Sequence, residues 1–343
     1  MELKSVKTEQ AFEAWDRYVR MNPEATFFHL SGWKKVVEKT LGYQALYSCI
    51  VEGGRIRGIL PLFHVKSFLF GGSLVAVPLG VYGGICSDHQ TSEAVLLDHA
   101  TKQAEEMGVK YLELRHRKPI QGNLCQKDLY VAFEREMDSD PDKNMAAIPR
   151  KQRRMIRQGQ KAGLEARIGG IEFLSRFYDI YAHSVRNLGT PVFSRRLFEN
   201  LLVEFGQSCR IFTIWREGKM MAGVMTFFFR DRVMPYYGGA LKEAFCYAVN
   251  DFMYWELMQY AAQKGYKIFD FGRSKRGSGS YDFKRHWGFE PMPLAYQYHL
   301  VWQKSIPDLS PFNPKFSLAI KIWRHLPVSL TKLIGPLIAK QLG

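Results

Sequence analysis

The stretch YSCIVEGGRIRGILPL, Tyr47–Leu62, reads as two β-rich runs joined at Gly53-Gly54, and IFTIWREGKMMAGVMTFFF, Ile211–Phe229, reads the same way around Glu217-Gly218-Lys219. Glycine-bearing turns between β-branched and aromatic runs are a strong hairpin signal. The segments downstream of the two hairpins match as well. The first leads through Tyr82-Gly83-Gly84 to a helical stretch ending at Gly108 and then to Tyr111-Leu112-Glu113-Leu114-Arg115. The second leads through Tyr237-Gly238-Gly239 to a helical stretch ending at Gly265 and then to Ile268-Phe269-Asp270-Phe271-Gly272. Such a period is far too long for a solenoid and indicates duplication of a whole α/β domain.

The 343 residues agree with two domains, and 46% hydrophobic with 14% aromatic content excludes a disordered chain. The five cysteines form no C-x-x-C pair and sit in apolar or strand-like contexts, which predicts buried free thiols in a reducing compartment. The N-terminus has no apolar stretch that would mark export, so a cytoplasmic protein is expected. The uncharged run Ser67 to Ser87 is long enough for a membrane span, but its glycines and Pro78 favour strands.

The net charge of +15 is localised: residues 143–167 carry +7 and residues 304–343 carry +5. Localised charge is evidence about partners. A first α/β unit is expected over residues 1–140, with helices at Ala11–Met21, Gly32–Leu41 and Ser92–Met107, and a boundary at the acidic, Pro-containing Asp138 to Asp142. A basic helix comes next within residues 141–163, with Pro149 at its start and Gly163 at its end. The second unit spans residues 164–304, with helices at Ile171–Asn187, Arg195–Phe205 and Asn250–Lys264. Residues 305–343 form a basic tail cut by Pro307, Pro311, Pro314, Pro327 and Pro336, in which Phe316 to His325 can form one amphipathic helix.

The densest polar cluster runs from Asp270 to Arg285, where a β-rich run gives way to a Gly/Ser-rich loop with cations. Ligands of open α/β sheets bind outside the carboxyl ends of strands, and glycine lets backbone N–H groups approach an anion. A pocket for a phosphate-bearing or acyl-bearing donor and a solvated basic loop both fit this pattern. The loop matches no Walker or dinucleotide fingerprint.

Phe269-Asp270-Phe271-Gly272 followed by Tyr281-Asp282-Phe283-Lys284 resembles the signature of FemABX-type aminoacyl or acyl transferases. Phe28-His29-Leu30-Ser31-Gly32-Trp33 with Lys35, the run Arg150 to Arg157 ending at Gly163, and Asn250-Asp251 before Gly265 extend the likeness over residues 1 to about 300. Tyr181 with Arg186-Asn187-Leu188-Gly189-Thr190-Pro191 is similar to the branch associated with exosortase (PEP-CTERM) and exopolysaccharide loci. The resemblance implies an α/β fold of α+β type: two tandem GNAT-like domains (acyl-CoA N-acyltransferase fold) with mixed, largely antiparallel sheets flanked by helices.

It also implies an acyl or aminoacyl transferase acting on an amine of a cell-envelope, peptidoglycan-like or exopolysaccharide precursor, free or lipid-linked. Lys284, after Phe283, matches the family's functional Phe-Lys pair and would stabilise negative charge at the reacting carbonyl or a donor phosphate. Asp270, Tyr281 and Asp251 are candidate bases by location, against strand-end, packed-aromatic and helix-cap readings. Lys35, Tyr82 and Arg186 would serve the acceptor; Trp33, Tyr237, Asn250, Asp251, Arg273 and Ser274 complete the substrate-binding set. After Gly239 the sequence Leu241-Lys242-Glu243-Ala244-Phe245-Cys246 lacks the glycine loop that cradles a pyrophosphate in acetyl-CoA-binding GNAT domains. The donor is therefore left between a charged tRNA and acyl-CoA, with no bound cofactor. The basic run fits either tRNA phosphates or the acidic neighbour Asp138 to Asp142. The tail fits either peripheral docking on the inner face of the membrane or packing on the domain body. The histidines form no metal-binding pattern, so no metal is expected. The competing function is a non-catalytic accessory protein that binds a glycan or lipid carrier.

Overall fold

The computed structural model describes residues 1–306, 308 and 313–342. Pro307 and Pro311 lie outside them.

Two sheets organise the chain. The first contains β1 (Glu2–Ser5), β2 (Gln44–Glu52), β3 (Arg55–Ser67), β4 (Gly71–Ala76), β5 (Cys86–Ser87), β6 (Tyr111–His116), β7 (Cys125–Lys127) and, from the far end of the chain, β15 (Ala295–Leu300). Its order is β1-β2-β3-β4-β6-β15-β7, with β5 on β3. The second holds β8 (Tyr130–Glu136), β9 (Glu165–Gly169), β10 (Cys209–Arg216), β11 (Lys219–Phe229), β12 (Arg232–Ala240), β13 (Ile268–Lys275) and β14 (Met292–Pro293), in the order β14-β8-β13-β12-β11-β10-β9. The orders correspond position by position, as a duplication requires. Both hairpins turn with two consecutive positive φ angles, at Gly53 and Gly54 and at Glu217 and Gly218, which matches the right-handed twist of the flanking strands.

The compact units are not contiguous halves. One comprises Met1–Tyr130 with Pro293–Leu309 and Lys340–Gly343, the other Val131–Met292 with Ser310–Ala339. Each half of the sequence supplies a strand to the other half's sheet: β8 joins the second and β15 the first. The expected boundaries at 140 and 304 therefore differ from the observed ones, because hydrophobic periodicity identifies a strand but not the sheet it enters.

In the N-terminal unit, α1 (Glu9–Met21), α2 (Ser31–Leu41) and α3 (Gln90–Glu106) cover the sheet. The Ser67 to Ser87 run becomes a turn, β4, a loop and β5, and no helix among the described residues is long and apolar enough to cross a membrane. Cys49, Cys86 and Cys209 are buried as expected, whereas Cys125 and Cys246 are exposed.

In the second unit, α4 (Pro141–Ala147) occupies the acidic stretch read as a boundary, because Asp140 caps it and Pro141 starts it. After it come α5 (Arg150–Lys161), α6 (Ile171–Leu188), α7 (Arg195–Phe205), α8 (Val249–Gln263), α9 (Gly279–His286), α10 (Ser317–His325) and α11 (Val328–Leu342), the last of which belongs to this unit up to Ala339. The Gly238-Gly239 pair has a packing role. A Cβ on Gly239 would lie 2.9 Å from Tyr181 Cα and 3.2 Å from the Ile180 carbonyl, both backbone of α6, while one on Gly238 meets only ordinary contacts. Gly239→Val is expected to cost about 3 kcal/mol through overpacking and Gly238→Ala under about 1 kcal/mol, measured by urea unfolding. Equal costs would show that α6 can move away from the strand.

Candidate active site

β12 and β13 run parallel but pair only at Arg232/Ile268 and Val233/Phe269, although β12 continues to Ala240 and β13 to Lys275. Two features part them. Pro235, which has no N–H to donate, precedes Tyr236, the bulged residue where β12 slips one position against β11. On the other arm Gly272 takes φ +66°, a conformation glycine adopts at low cost, and its N–H donates to Asp270 Oδ1 at 2.7 Å. The result is a fork walled by Met234–Ala240 and 270–275.

Asp270 is fully buried, with Oδ2 4.0 Å from Arg232, which also pairs with Glu134. Its geometry is that of a positioning residue that fixes the bend of β13. The expected loop 270–285 is instead strand, turn and helix: Ser278 caps α9 by accepting from the Tyr281 N–H at 3.3 Å. Read as loop composition, Gly277-Ser278-Gly279 is a capping signal.

α9 presents Lys284 inward. The side chain is only 8% exposed, and its Nζ donates to the carbonyls of Gly272 (3.3 Å) and Arg273 (3.1 Å). The rings of Phe133 and Phe271 lie 5.6 and 6.0 Å from it. Burial drives the Lys284 pKa down to about 7; the Asp270 charge opposes this and Arg273 adds to it. An amine poised at neutrality in such a setting is a marker of function. Phe283 packs against Tyr254, Phe271 and Trp287, and Tyr281 meets Phe133 edge-on at 5.5 Å.

Each arm of the fork also carries a buried polar atom without a hydrogen-bond partner: Tyr237 OH on β12 and Ser274 Oγ on β13. Such atoms are costly unless a ligand or water satisfies them. Below α9, Trp287 Nε1 donates to Asp251 Oδ1 at 3.0 Å. Burial raises the Asp251 pKa to about 6 despite that bond. Asp251 and Asn250 lie in the first turn of α8, whose Ala248 N-cap supplies no side-chain bond.

α5 packs beside α8: a Cβ on Gly159 would touch Phe252 Cβ at 2.6 Å, and Gln158 donates to the Cys246 carbonyl. With Gln152, Ile156 and Gly159 buried inward, Arg150, Lys151, Arg154, Arg157 and Lys161 are exposed. No ion pair among the described residues ties them to the 138–142 acids, where Asp138 pairs with Lys143. Residues 242–247 form a 3-10 helix where a glycine phosphate loop would stand.

The remaining candidates lie elsewhere. Arg186, on α6, donates to the Arg324 carbonyl at the end of α10 and so tethers the tail. In the N-terminal unit Lys35 is exposed on α2, whereas Trp33 is wholly buried and donates to the Pro78 carbonyl. β4 and β6 also part after two pairs, Leu74/Leu112 and Val75/Glu113. Here the space is filled: Arg115 donates to the carbonyls of Val77 and Gly80 and accepts on its own carbonyl from Gly83 and Gly84. Beside this plug is a cavity of about 230 Å³ lined by Tyr82, Glu93, Arg117, Lys118 and His116 among others. Arg117 stacks on the Tyr82 ring at 4.3 Å. The Ile85 N–H donates to His116 Nε2, which leaves the proton on Nδ1, buried and without a partner. Burial, with His29 adding to it, pushes the His116 pKa to about 3. His116 was not legible in the sequence, where it is one isolated histidine. Among the described residues no cluster could hold a metal ion.

Residues 150–285, from the start of α5 to near the end of α9, match the family described as acetyltransferase (GNAT) domain. No curated protein matches the sequence. Among solved structures, the fold is similar to FemX (14% identity, TM-score 0.69, 93% of this chain and 100% of that one). It is also similar to the C-terminal domain of a putative lysylphosphatidylglycerol synthetase from Agrobacterium fabrum (12%, TM-score 0.59, 85% and 91%). A tandem GNAT protein from the clavulanic acid biosynthesis pathway matches as well (11%, TM-score 0.55, 90% and 100%). Residues 150–285 are thus similar to a GNAT acetyltransferase domain, and the whole chain has a fold of two tandem GNAT-like units.

Proposed function

We propose that the protein transfers an acyl or aminoacyl group from an activated ester or thioester to an amine of a cell-envelope or exopolysaccharide precursor. The carrying observation is the β12/β13 fork closed by a buried amine, Lys284, with a pKa near neutrality. The acceptor nitrogen attacks the donor carbonyl, the new C–N bond forms, and the C–O or C–S bond to the carrier breaks. The nitrogen's proton leaves to solvent or to the departing oxygen or sulfur. Charged Lys284 has three N–H donors, of which the Gly272 and Arg273 carbonyls take two. The third is available to the oxyanion, where such a donor is worth roughly two or more powers of ten in rate. Ser274 and Tyr237 supply hydrogen bonds to the donor's amides or ester, and the apolar Phe283 and Phe271 exclude water from the reacting carbonyl.

The 3-10 helix at 242–247 and the exposed cations of α5 favour an aminoacyl-tRNA over acyl-CoA as donor. The lysylphosphatidylglycerol synthetase likeness supports aminoacyl chemistry on envelope molecules. The exosortase-associated branch rests on sequence likeness alone, since Tyr181 is a core residue and Arg186 a tether.

The test uses labelled aminoacyl-tRNA and labelled acyl-CoA, reading binding and label transfer to amines separately. Saturable binding of charged over uncharged tRNA, with label passing to an amine, is expected. Binding of neither donor would overturn the proposal in favour of an accessory protein.

A further inference from the structure

Both tail helices have a seated face and an open face. On α10, Trp323 is buried and its Nε1 donates to the Thr190 carbonyl, while Ile320 lies against Gly189. On α11, Thr331 and Ala339 are buried, Lys332 pairs with Asp179 of α6, and Gly335 sits where a Cβ would meet Val192 backbone at 3.0 Å. At 100° per residue the opposite side of α10 carries Leu318 and Ile322, and that of α11 carries Leu330, Leu333 and Leu337. These side chains are 67%, 54%, 39%, 72% and 67% exposed. Packing on the domain body thus uses one side of each helix and leaves a row of aliphatic residues uncovered. Large aliphatic side chains aligned on an exposed face mark an interaction surface.

Charge selects the occupant. Residues 313–342 contain no Asp or Glu, and Lys315, in the 3-10 turn just before α10, is exposed, as are Lys321 and Arg324 on α10. A second copy of the same patch would meet like charge, which disfavours self-association. An aliphatic row flanked by cations is the composition of a helix lying in an anionic lipid interface.

We infer that α10 and α11 form an interfacial platform that docks the protein on an anionic membrane surface. Leu318, Ile322, Leu333 and Leu337 enter the acyl boundary, and Lys315 and Lys321 meet lipid phosphates. This inference is independent of the transfer chemistry and does not use the β12/β13 fork. It would confine the enzyme to substrates within reach of the lipid surface.

The test is co-sedimentation of the full-length protein with phosphatidylcholine vesicles with or without about 30% phosphatidylglycerol. Partitioning at least about tenfold stronger to the anionic vesicles, falling with added salt, is expected. Leu333→Ser/Leu337→Ser is expected to weaken that partitioning at least about tenfold with an unchanged far-UV spectrum, because both side chains are exposed. Lys315→Ala/Lys321→Ala should remove most of the preference for anionic lipid. Equal partitioning to both vesicle types, or leucine variants that partition like the parent, would overturn the inference. So would light scattering that shows a lipid-free dimer that Leu333→Ser/Leu337→Ser converts to monomer, since the occupant would then be a second copy.

Discussion

Lys284→Met is expected to lower label transfer by at least about 100-fold while donor binding changes less than about threefold, and to raise the thermal midpoint at pH 6. The two effects share one cause. Below pH 7 the amine is protonated in both folded and unfolded chains, so the folded state bears the full cost of a buried charge. For a pKa brought from 10.5 to about 7, that cost is about 5 kcal/mol. The unfolded chain binds the extra proton between pH 7 and about 10.5, so stability rises with pH over that window and the penalty is gone above it. Methionine removes the penalty but also forfeits two hydrogen bonds to backbone carbonyls, each worth about 1 kcal/mol. The midpoint difference should therefore be positive at pH 6 and shrink or reverse by pH 10. In the parent enzyme, kcat/KM should descend above pH 7 as Lys284 loses its charge, a limb absent from the residual activity of the variant. A variant that loses activity together with several degrees of midpoint at pH 6 would make Lys284 a structural residue.

Legibility of the fold and site in the sequence depends on the range of the interaction. The hairpins at Gly53-Gly54 and Glu217-Gly218, and helices such as α7 and α8, arise from local chemistry, which the sequence displays directly. Lys284 was legible as a residue of interest through its motif. Its burial was not, because α9 was hidden in a Gly/Ser composition that serves as both loop and cap. The fork was not legible either: it needs Pro235 on one arm and Gly272 on another to part strands that are neighbours only in space. The same limit explains Trp33 and Arg186, polar-tipped residues whose partners, the Pro78 and Arg324 carbonyls, are far along the chain. Strand exchange of β8 and β15 is the extreme case, since nothing local distinguishes a strand that stays in its own sheet from one that crosses to the other.

Donor binding should depend on salt in proportion to the cations of α5. Five are exposed: Arg150, Arg154, Arg157 and Lys161 on the face turned from α8, and Lys151 near Asp251 at the start of α8. If all five contact phosphates of a single-stranded tRNA end, log K should fall against log salt with a slope of about −3.5. A fourfold rise in salt would then weaken binding by roughly 100-fold. Arg154→Ala/Arg157→Ala should flatten the slope by about 1.4 and, at 50 mM salt, weaken charged-tRNA binding by well over tenfold. Acyl-CoA carries fewer phosphates than a tRNA end can offer, so its slope should be shallower and less sensitive to these substitutions. Fold should be spared, because α5 is held by the buried Ile156 and Gly159 and not by the exposed arginines. An unchanged slope in the double variant would remove α5 from donor recognition and leave the uncapped start of α8 beside Lys151 as the anion contact, the arrangement expected of a compact acyl-CoA donor.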